Sequence, residues 1–478
     1  EITKLLPLID TISADLLTPL GVYLKLSKHS DNSFLLESVE GGESLARYSF
    51  IGADPEMIVT GNATSVTILD DDGERTLDLP MIDFLRRHFA DKIVVCDEEL
   101  PAFVGGAIGY FAFDCAGWFE PSLRGETAKD ESDSTFMFFR SVIAFDHAKQ
   151  VVKIISLMFP EEAGGDSDAH SRAVQRNKSI RKVLENDPIE LPRINTRNVD
   201  ANVSSNWQRT HFETAVREIK ELIRAGECYQ VVLSQCFSRP TPADPVSIYR
   251  AMRSLNPSPY MFLLQMQDRS IVGSSPEMLV KCFGRDLEYR PIAGTRPRGT
   301  TNNEDLRLAE EMRADEKEVA EHLMLVDLGR NDLGRVAEYG SVRVENLMSV
   351  EKYSHVQHLV SYLSAKLRAG LDRFDALASC FPAGTVSGAP KVRAIEIIKE
   401  TEPDPRGVYA GAVGYFDYAG NMDMCIAIRT LVLKDGVAYV QAGAGIVADS
   451  VPELEYQETI NKARALLKAI ELAENNLL

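Results

Sequence analysis

Both halves of this 478-residue chain interleave short β-rich runs with helical segments, yet neither repeats a strand–helix–strand unit at regular spacing. In the first third, the runs 33–38, 48–52 and 57–60 are apolar or β-branched and are broken by Gly, Asp and Asn. In the second half, 229–233, 260–265, 408–417, 424–433 and 437–442 are of the same kind. Their apolar residues alternate enough to favour antiparallel pairing over a doubly wound parallel sheet. The expected class is therefore α+β, with large, mostly antiparallel sheets packed with helices. The length is ample for a large core and for about two to three domains. A polar stretch over 161–205, opening Glu161-Glu162-Ala163-Gly164-Gly165-Asp166-Ser167-Asp168, reads as a linker holding a helix around 169–185. It divides the chain into 1–160 and 206–478. Beyond it, Thr210 and Glu213 are expected to cap a helix with Phe212, Val216, Ile219 and Ile223 on one apolar stripe, ended by Gly226.

Near the C-terminus, Ala442-Gly443-Ala444-Gly445-Ile446-Val447-Ala448-Asp449 reads as a small-residue loop feeding a helix start. Ser450 and Glu453 have the spacing of a capping box, and Pro452 suits the first turn. Inside that helix Glu455, Glu458 and Lys462 fall at i, i+3 and i+7, on one face. A second pair, Glu318 and Glu321, lies on a segment that starts after residues 301–303. It carries Leu306, Ala309, Met312, Val319, Leu323 and Val326 at roughly helical spacing. Carboxylate pairs on two helices, with no Cys/His clustering, suit Mg²⁺, a hard cation that takes oxygen ligands and keeps several waters. Two surface helices making ordinary ion pairs would show the same spacing.

Net charge is −19 with no basic cluster, which excludes a nucleic-acid footprint. An anionic substrate would need positive charge concentrated at its site, from Arg296, Arg298, Lys391, Arg393, Arg429, Lys462 or a bound cation. The seven cysteines are scattered without paired spacing, against a disulfide framework or a zinc site. No apolar run approaches the roughly 20 residues of a membrane span, and the chain does not open with a secretory leader pattern. A cytoplasmic location is expected.

Several segments carry a family resemblance. They are Gly226-Glu227-Cys228-Tyr229-Gln230-Val231-Val232-Leu233-Ser234-Gln235, Ser274-Ser275-Pro276-Glu277, Pro291-Ile292-Ala293-Gly294-Thr295-Arg296-Pro297-Arg298-Gly299, Glu321-His322-Leu323-Met324-Leu325-Val326-Asp327-Leu328-Gly329-Arg330-Asn331-Asp332 and Phe381-Pro382-Ala383-Gly384-Thr385-Val386-Ser387-Gly388-Ala389-Pro390-Lys391. In order and spacing they resemble the chorismate-utilising enzymes. Leu35-Leu36-Glu37-Ser38 extends the resemblance to the anthranilate synthase branch of that family. Two positions sort the chemistry within it. Isochorismate and salicylate synthases place a lysine base where this chain has Gln230, because water must be deprotonated whereas ammonia is already a nucleophile. Aminodeoxychorismate synthases carry a covalent lysine where this chain has Ala293.

The resemblance implies amination of chorismate by ammonia and loss of pyruvate to give anthranilate, in tryptophan biosynthesis. It implies Mg²⁺ held by Glu321 and Glu458 with Glu318 and Glu455 in support, Glu277 as general acid, and Gln230 at the nucleophile's position. His358 would assist proton removal, with His355 as the competing choice. Arg429 and Tyr409 would clamp the pyruvyl carboxylate. Gly294, Thr295, Thr385, Gly443, Ala444 and Gly445 would complete the anion cradle, with Lys462 as a further cation on the substrate. In the same branch Glu37, Ser38, Pro259, Tyr260 and Met261 match a regulatory L-tryptophan site, with Arg47 close by. No Gly-x-Cys-x-Gly elbow is found, so a glutamine amidotransferase partner is expected to supply ammonia, for which free ammonia would substitute. The rival readings are an aminodeoxyisochorismate synthase, which stops before pyruvate loss, and a non-catalytic amino-acid sensor.

Overall fold

The computed structural model describes residues 2–38, 47–96, 99–124, 134–160, 164–192, 202–353 and 356–475. Among them the strands assemble into two large sheets, of 13 and 12 strands. Strand neighbours are antiparallel almost throughout, Thr3–Ser13 with Lys92–Val94 being the parallel exception. Two large antiparallel sheets with helices packed on them make the α+β class that the alternation implies.

Each sheet crosses from the N-terminal to the C-terminal part of the chain. In one, Ser33–Glu37 pairs with Tyr260–Met266, Glu37 opposite Met261. In the other, Gly106–Phe111 pairs with Ala412–Asp417. The division at 161–205 is thus a division along the chain and not of the sheets. The 161–205 segment itself contributes to the packing. Its helix Asp166–Asn186 buries Ala169, Ala173, Asn177 and Leu184, and the Asn177 amide donates to the carbonyls of Leu8 and Ile154 at 3.3 and 3.4 Å. Between the sheets lies an aromatic core in which Phe34, Phe50, Phe103, Phe139 and Tyr415 meet edge to face or tilted.

Several local expectations change. Thr210 lies inside the helix Arg209–Arg224, whose N-cap is Gln208, because Glu213 is drawn into an ion pair with Arg209 at 2.7 Å. Gly226 does end the helix, at φ +81°. Residues 301–334 form two helices, Asn302–Ala314 and Glu316–Gly334. They break at Asp315, whose carboxylate caps the second by accepting from the amides of Lys317 and Glu318. The capping box at Ser450 does not form: Val451 is the N-cap, and the Ser450 hydroxyl turns back to accept from the Val447 amide at 3.0 Å. Pro452 does take the first helical position. Finally, the small-residue run 442–446 is the end of strand Val437–Ile446 and not a loop.

Candidate functional site

Strand Val437–Ile446 and its partner Gln230–Pro240 form the floor of a cavity of ≈790 Å³. Gly443 and Gly445 point to one face of the strand, which at these two positions carries no side chain because others lie over it. A Cβ on Gly443 would stand 2.8 Å from the Tyr409 hydroxyl, and one on Gly445 would stand 2.5 Å from Gln230 Nε2. The alternating glycines thus bring Gln230 and Tyr409 down onto the backbone. Ala444 points to the opposite face and is fully buried. Tyr409 is buried, and burial raises its hydroxyl pKa to about 12, so it stays a neutral donor.

Glu277 and Arg429 face this floor. Glu277 is buried, and burial pushes its carboxyl up to about 8, partly offset by Thr385 and by the charge of Arg429. The Thr385 hydroxyl is near enough to moderate that carboxyl but makes no hydrogen bond of proper geometry among the described residues. Arg429 sits between strands Met422–Ile426 and Thr430–Lys434 with φ +48°, a left-handed conformation costly for a side chain of its size. This kink breaks the single strand expected over 424–433. It also aims the guanidinium into the cavity, where water reaches it although protein surrounds it and lowers its pKa. Among the described residues, no carboxylate pairs with it. A strained backbone that presents an unpaired guanidinium is arranged for an external anion.

His358, on strand Val356–Lys366, lines the same cavity. Its Nδ1 lies 2.8 Å from the Gly294 carbonyl and 3.2 Å from Thr295 Oγ1. A carbonyl only accepts, so Nδ1 carries the proton and Nε2 is left as an acceptor. Burial lowers the ring's pKa and favours this neutral form. Gly294 makes the approach possible with φ +67°, in a bulged strand where a Cβ would meet Met312 and Glu318 at 3.2 Å. His355 lies outside the described residues.

At the cavity rim, helices Glu316–Gly334 and Pro452–Glu474 bring Glu321, Glu455 and Glu458 to one opening. Glu458 pairs with Lys462 at 2.7 Å, and Lys462 also donates to the Gly443 carbonyl at 2.9 Å. Glu318 is turned to Arg296 at 2.9 Å and is not among the lining residues. The carboxyls of Glu321 and Glu455 are shifted upward, chiefly by burial and further by the negative charge of Glu458. Among the described residues, no three His, Cys, Asp or Glu side chains already converge on one point. The donor set nevertheless fits a hard cation, since carboxylates that raise one another's pKa are relieved by a positive charge between them.

A second cavity, ≈130 Å³, lies at the seam between the N- and C-terminal strands. All five residues of the expected amino-acid site line it: Glu37, Ser38, Pro259, Tyr260 and Met261. The Met261 side chain itself belongs to the core with Leu35 and Leu263, so only its backbone faces the seam. Glu37 is buried, accepts from Tyr249 and pairs with Arg253 at 3.3 Å. Ser38 Oγ is buried without a hydrogen-bond partner among the described residues. Arg47 pairs with Asp146 and Glu99 and covers Tyr48, itself a wall residue. Tyr48, Phe50, Tyr415 and Asp423 also line this cavity and were not anticipated. The i, i+2 spacing of Tyr48 and Phe50 is the sequence signal for the first two; the other two leave none.

The family profile of chorismate binding enzymes matches residues 30–468. Anthranilate synthase component 1 of Aquifex aeolicus is 45% identical over 99% of this chain and 96% of its own length. The same protein of Acetivibrio thermocellus is 45% identical over 98% and 96%. The chain belongs to the chorismate binding enzymes, among the anthranilate synthase component 1 proteins. The crystal structure of anthranilate synthase component I from Streptococcus pneumoniae superposes with a TM-score of 0.77 at 37% identity, covering 95% of this chain and 99% of that one. The menaquinone-specific isochorismate synthase of Escherichia coli shares the fold at a TM-score of 0.71 and 21% identity, over 98% and 96%.

Proposed function

We propose that the large cavity converts chorismate and ammonia to anthranilate, pyruvate and water, as the synthase subunit of an anthranilate synthase in tryptophan biosynthesis. The observation that carries this reading is a neutral buried acid, Glu277, beside the unpaired guanidinium of Arg429. Arg429 binds the enolpyruvyl carboxylate, with the Tyr409 hydroxyl as a second donor. Glu277 gives its proton to the departing ring hydroxyl, which leaves as water. Ammonia adds without a base, so the neutral amide of Gln230 over Gly445 suffices where a water-adding enzyme needs a lysine. His358, with its proton fixed on Nδ1, is an acceptor at Nε2 for the ring proton released as pyruvate leaves. Mg²⁺ held by Glu321 and Glu458, with Glu455 and the Arg296-paired Glu318 beside them, would supply positive charge for the ring carboxylate.

The small cavity is the binding site we propose for L-tryptophan. Its support is the aromatic walls of Tyr48, Phe50 and Tyr415 and the unsatisfied Ser38 hydroxyl. Pro259 borders both cavities, which gives the two sites a shared wall. The designation component 1 among the relatives implies a second component, which in this reading is a glutamine amidotransferase delivering ammonia. A reducing cytoplasm agrees with the seven free thiols. No helix among the described residues is long and apolar enough to cross a membrane.

The test is purified chain with chorismate, Mg²⁺ and ammonium at alkaline pH, followed by anthranilate fluorescence. Turnover with ammonium, and none with glutamine alone, is expected. An aminated product that still bears the enolpyruvyl group would transfer the protein to the aminodeoxyisochorismate synthases. Absence of any Mg²⁺-dependent turnover would leave an amino-acid sensor.

A further inference from the structure

Behind the cavity floor lies an ion pair that touches no ligand-facing space. The side chains of Arg406 and Glu402 are 1% and 4% exposed and meet at 2.6 Å and 2.8 Å. Burying two charges is offset only when their remaining hydrogen-bonding groups are also met, and here they are met by backbone from different walls. Arg406 donates to the carbonyl of Val386 at 2.7 Å, beside Thr385, and to the carbonyl of Val232 at 2.7 Å, two residues from Gln230. Glu402 accepts from the Ser234 amide at 2.8 Å and from its hydroxyl at 2.9 Å. The guanidinium also lies 5.6 Å from the centre of the Tyr409 ring.

We infer that Arg406 and Glu402 are positioning residues that hold Gln230, Thr385 and Tyr409 in one frame, and so set the proton-donating environment of Glu277. The inference rests on the chorismate reading of the cavity. Its physical basis is the planar fork: a guanidinium reaches two carbonyls and a carboxylate in fixed directions, and an ammonium does not. A merely structural pair, by contrast, would lower the folded fraction and leave the chemistry of the folded molecules unchanged. The molecule contains a natural control. Arg373 and Asp417 form another buried pair, 3.9 Å apart, in which Arg373 bonds the carbonyls of Asp417 and Asn421 and lines neither cavity.

The experiment compares Arg406→Lys with Arg373→Lys in the full chain, reading thermal unfolding, the pH profile of kcat/KM for chorismate, and amide exchange. For Arg406→Lys, kcat/KM per folded molecule is expected to fall about 100-fold, as for misplaced catalytic groups. The alkaline limb should move upward, because Thr385, which holds the Glu277 pKa down, loses its anchor. Exchange should quicken about tenfold at the Val232 amide, which donates to Ser387, and across 384–387. Arg373→Lys should change unfolding alone. Should Arg406→Lys fail to fold, Glu402→Gln keeps an acceptor for the Ser234 amide and carries the same expectation. Equal behaviour of the Arg406 (or Glu402) and Arg373 variants in pH profile and exchange overturns the inference. If the wild-type chain makes no anthranilate, the chorismate reading fails, while the exchange comparison still decides whether the pair holds the frame.

Discussion

The two cavities are built in opposite ways. Among the described residues, those lining the large one come from between Gln230 and Leu466, whereas the small one draws on residues from Leu36 to Cys425, across the seam of both sheets. Inward of the Glu458–Lys462 pair at its rim, the large cavity concentrates unpaired or neutralised ionisable groups: Arg429 without a carboxylate among the described residues, Glu277 held protonated, His358 held neutral. In the small one the ionisable groups are already engaged, Glu37 with Tyr249 and Arg253, and Asp423 with Tyr260 at 3.1 Å. Groups kept unsatisfied are suited to changing protonation and binding in a reaction. Engaged charges around a small aromatic space are suited to recognition, and a seam between chain segments is where recognition can alter a second site.

The sharpest break of this contrast is Glu277→Gln. Anthranilate formation should fall about 10²–10⁴-fold, the range of general-acid catalysis. The fold should gain stability at alkaline pH. Because the native pKa is raised to about 8, the native state keeps a proton that the unfolded chain has lost. Stability is therefore lost as pH rises from the ordinary carboxyl range through about 8, and the amide removes that loss. Urea unfolding at acid and alkaline pH checks it. Next, Glu321→Gln and Glu458→Gln should each abolish Mg²⁺ dependence with most of the activity, while Glu310→Gln and Glu453→Gln remain near wild type; a Mg²⁺ titration of the rate decides. Arg429→Lys should raise the KM for chorismate about 10- to 100-fold, the worth of a lost charge-assisted bond. The smallest effect on turnover belongs to Ser38→Phe, which fills the seam cavity. Calorimetry should show tryptophan affinity greatly weakened there. In the wild type, a chorismate-site ligand with Mg²⁺ should weaken tryptophan binding by the same factor that tryptophan weakens chorismate. Equal tryptophan affinity with and without that ligand would leave the two cavities uncoupled.

Much of this was legible in the residues. Alternation located the strands around Leu35, Tyr48 and Tyr260, and i, i+3 spacing placed Glu321 and Glu458 on helices that meet at one rim. What failed was local chemistry decided by distant partners. Ser450 has the sequence of a cap, but its hydroxyl is claimed by Val447. Glycines at 443 and 445 look like a loop until Tyr409 and Gln230 are seen lying over them on a strand. Arg429 interrupts an otherwise continuous apolar run through a left-handed turn that no propensity of arginine foretells. Sheets that pass from one half of the chain to the other leave no trace in spacing, because pairing partners such as Glu37 and Met261 lie far apart in sequence.

The central claim is that Glu277 works as an acid in the large cavity. Its most direct test is kcat/KM for chorismate against pH, with the concentration of free ammonia held fixed so that ammonium titration does not contribute. The wild-type value should hold at neutral pH and fall above about pH 8, as the Glu277 carboxyl gives up its proton. A profile that stays flat to about pH 10, or a Glu277→Gln protein that retains the wild-type value, would contradict the account.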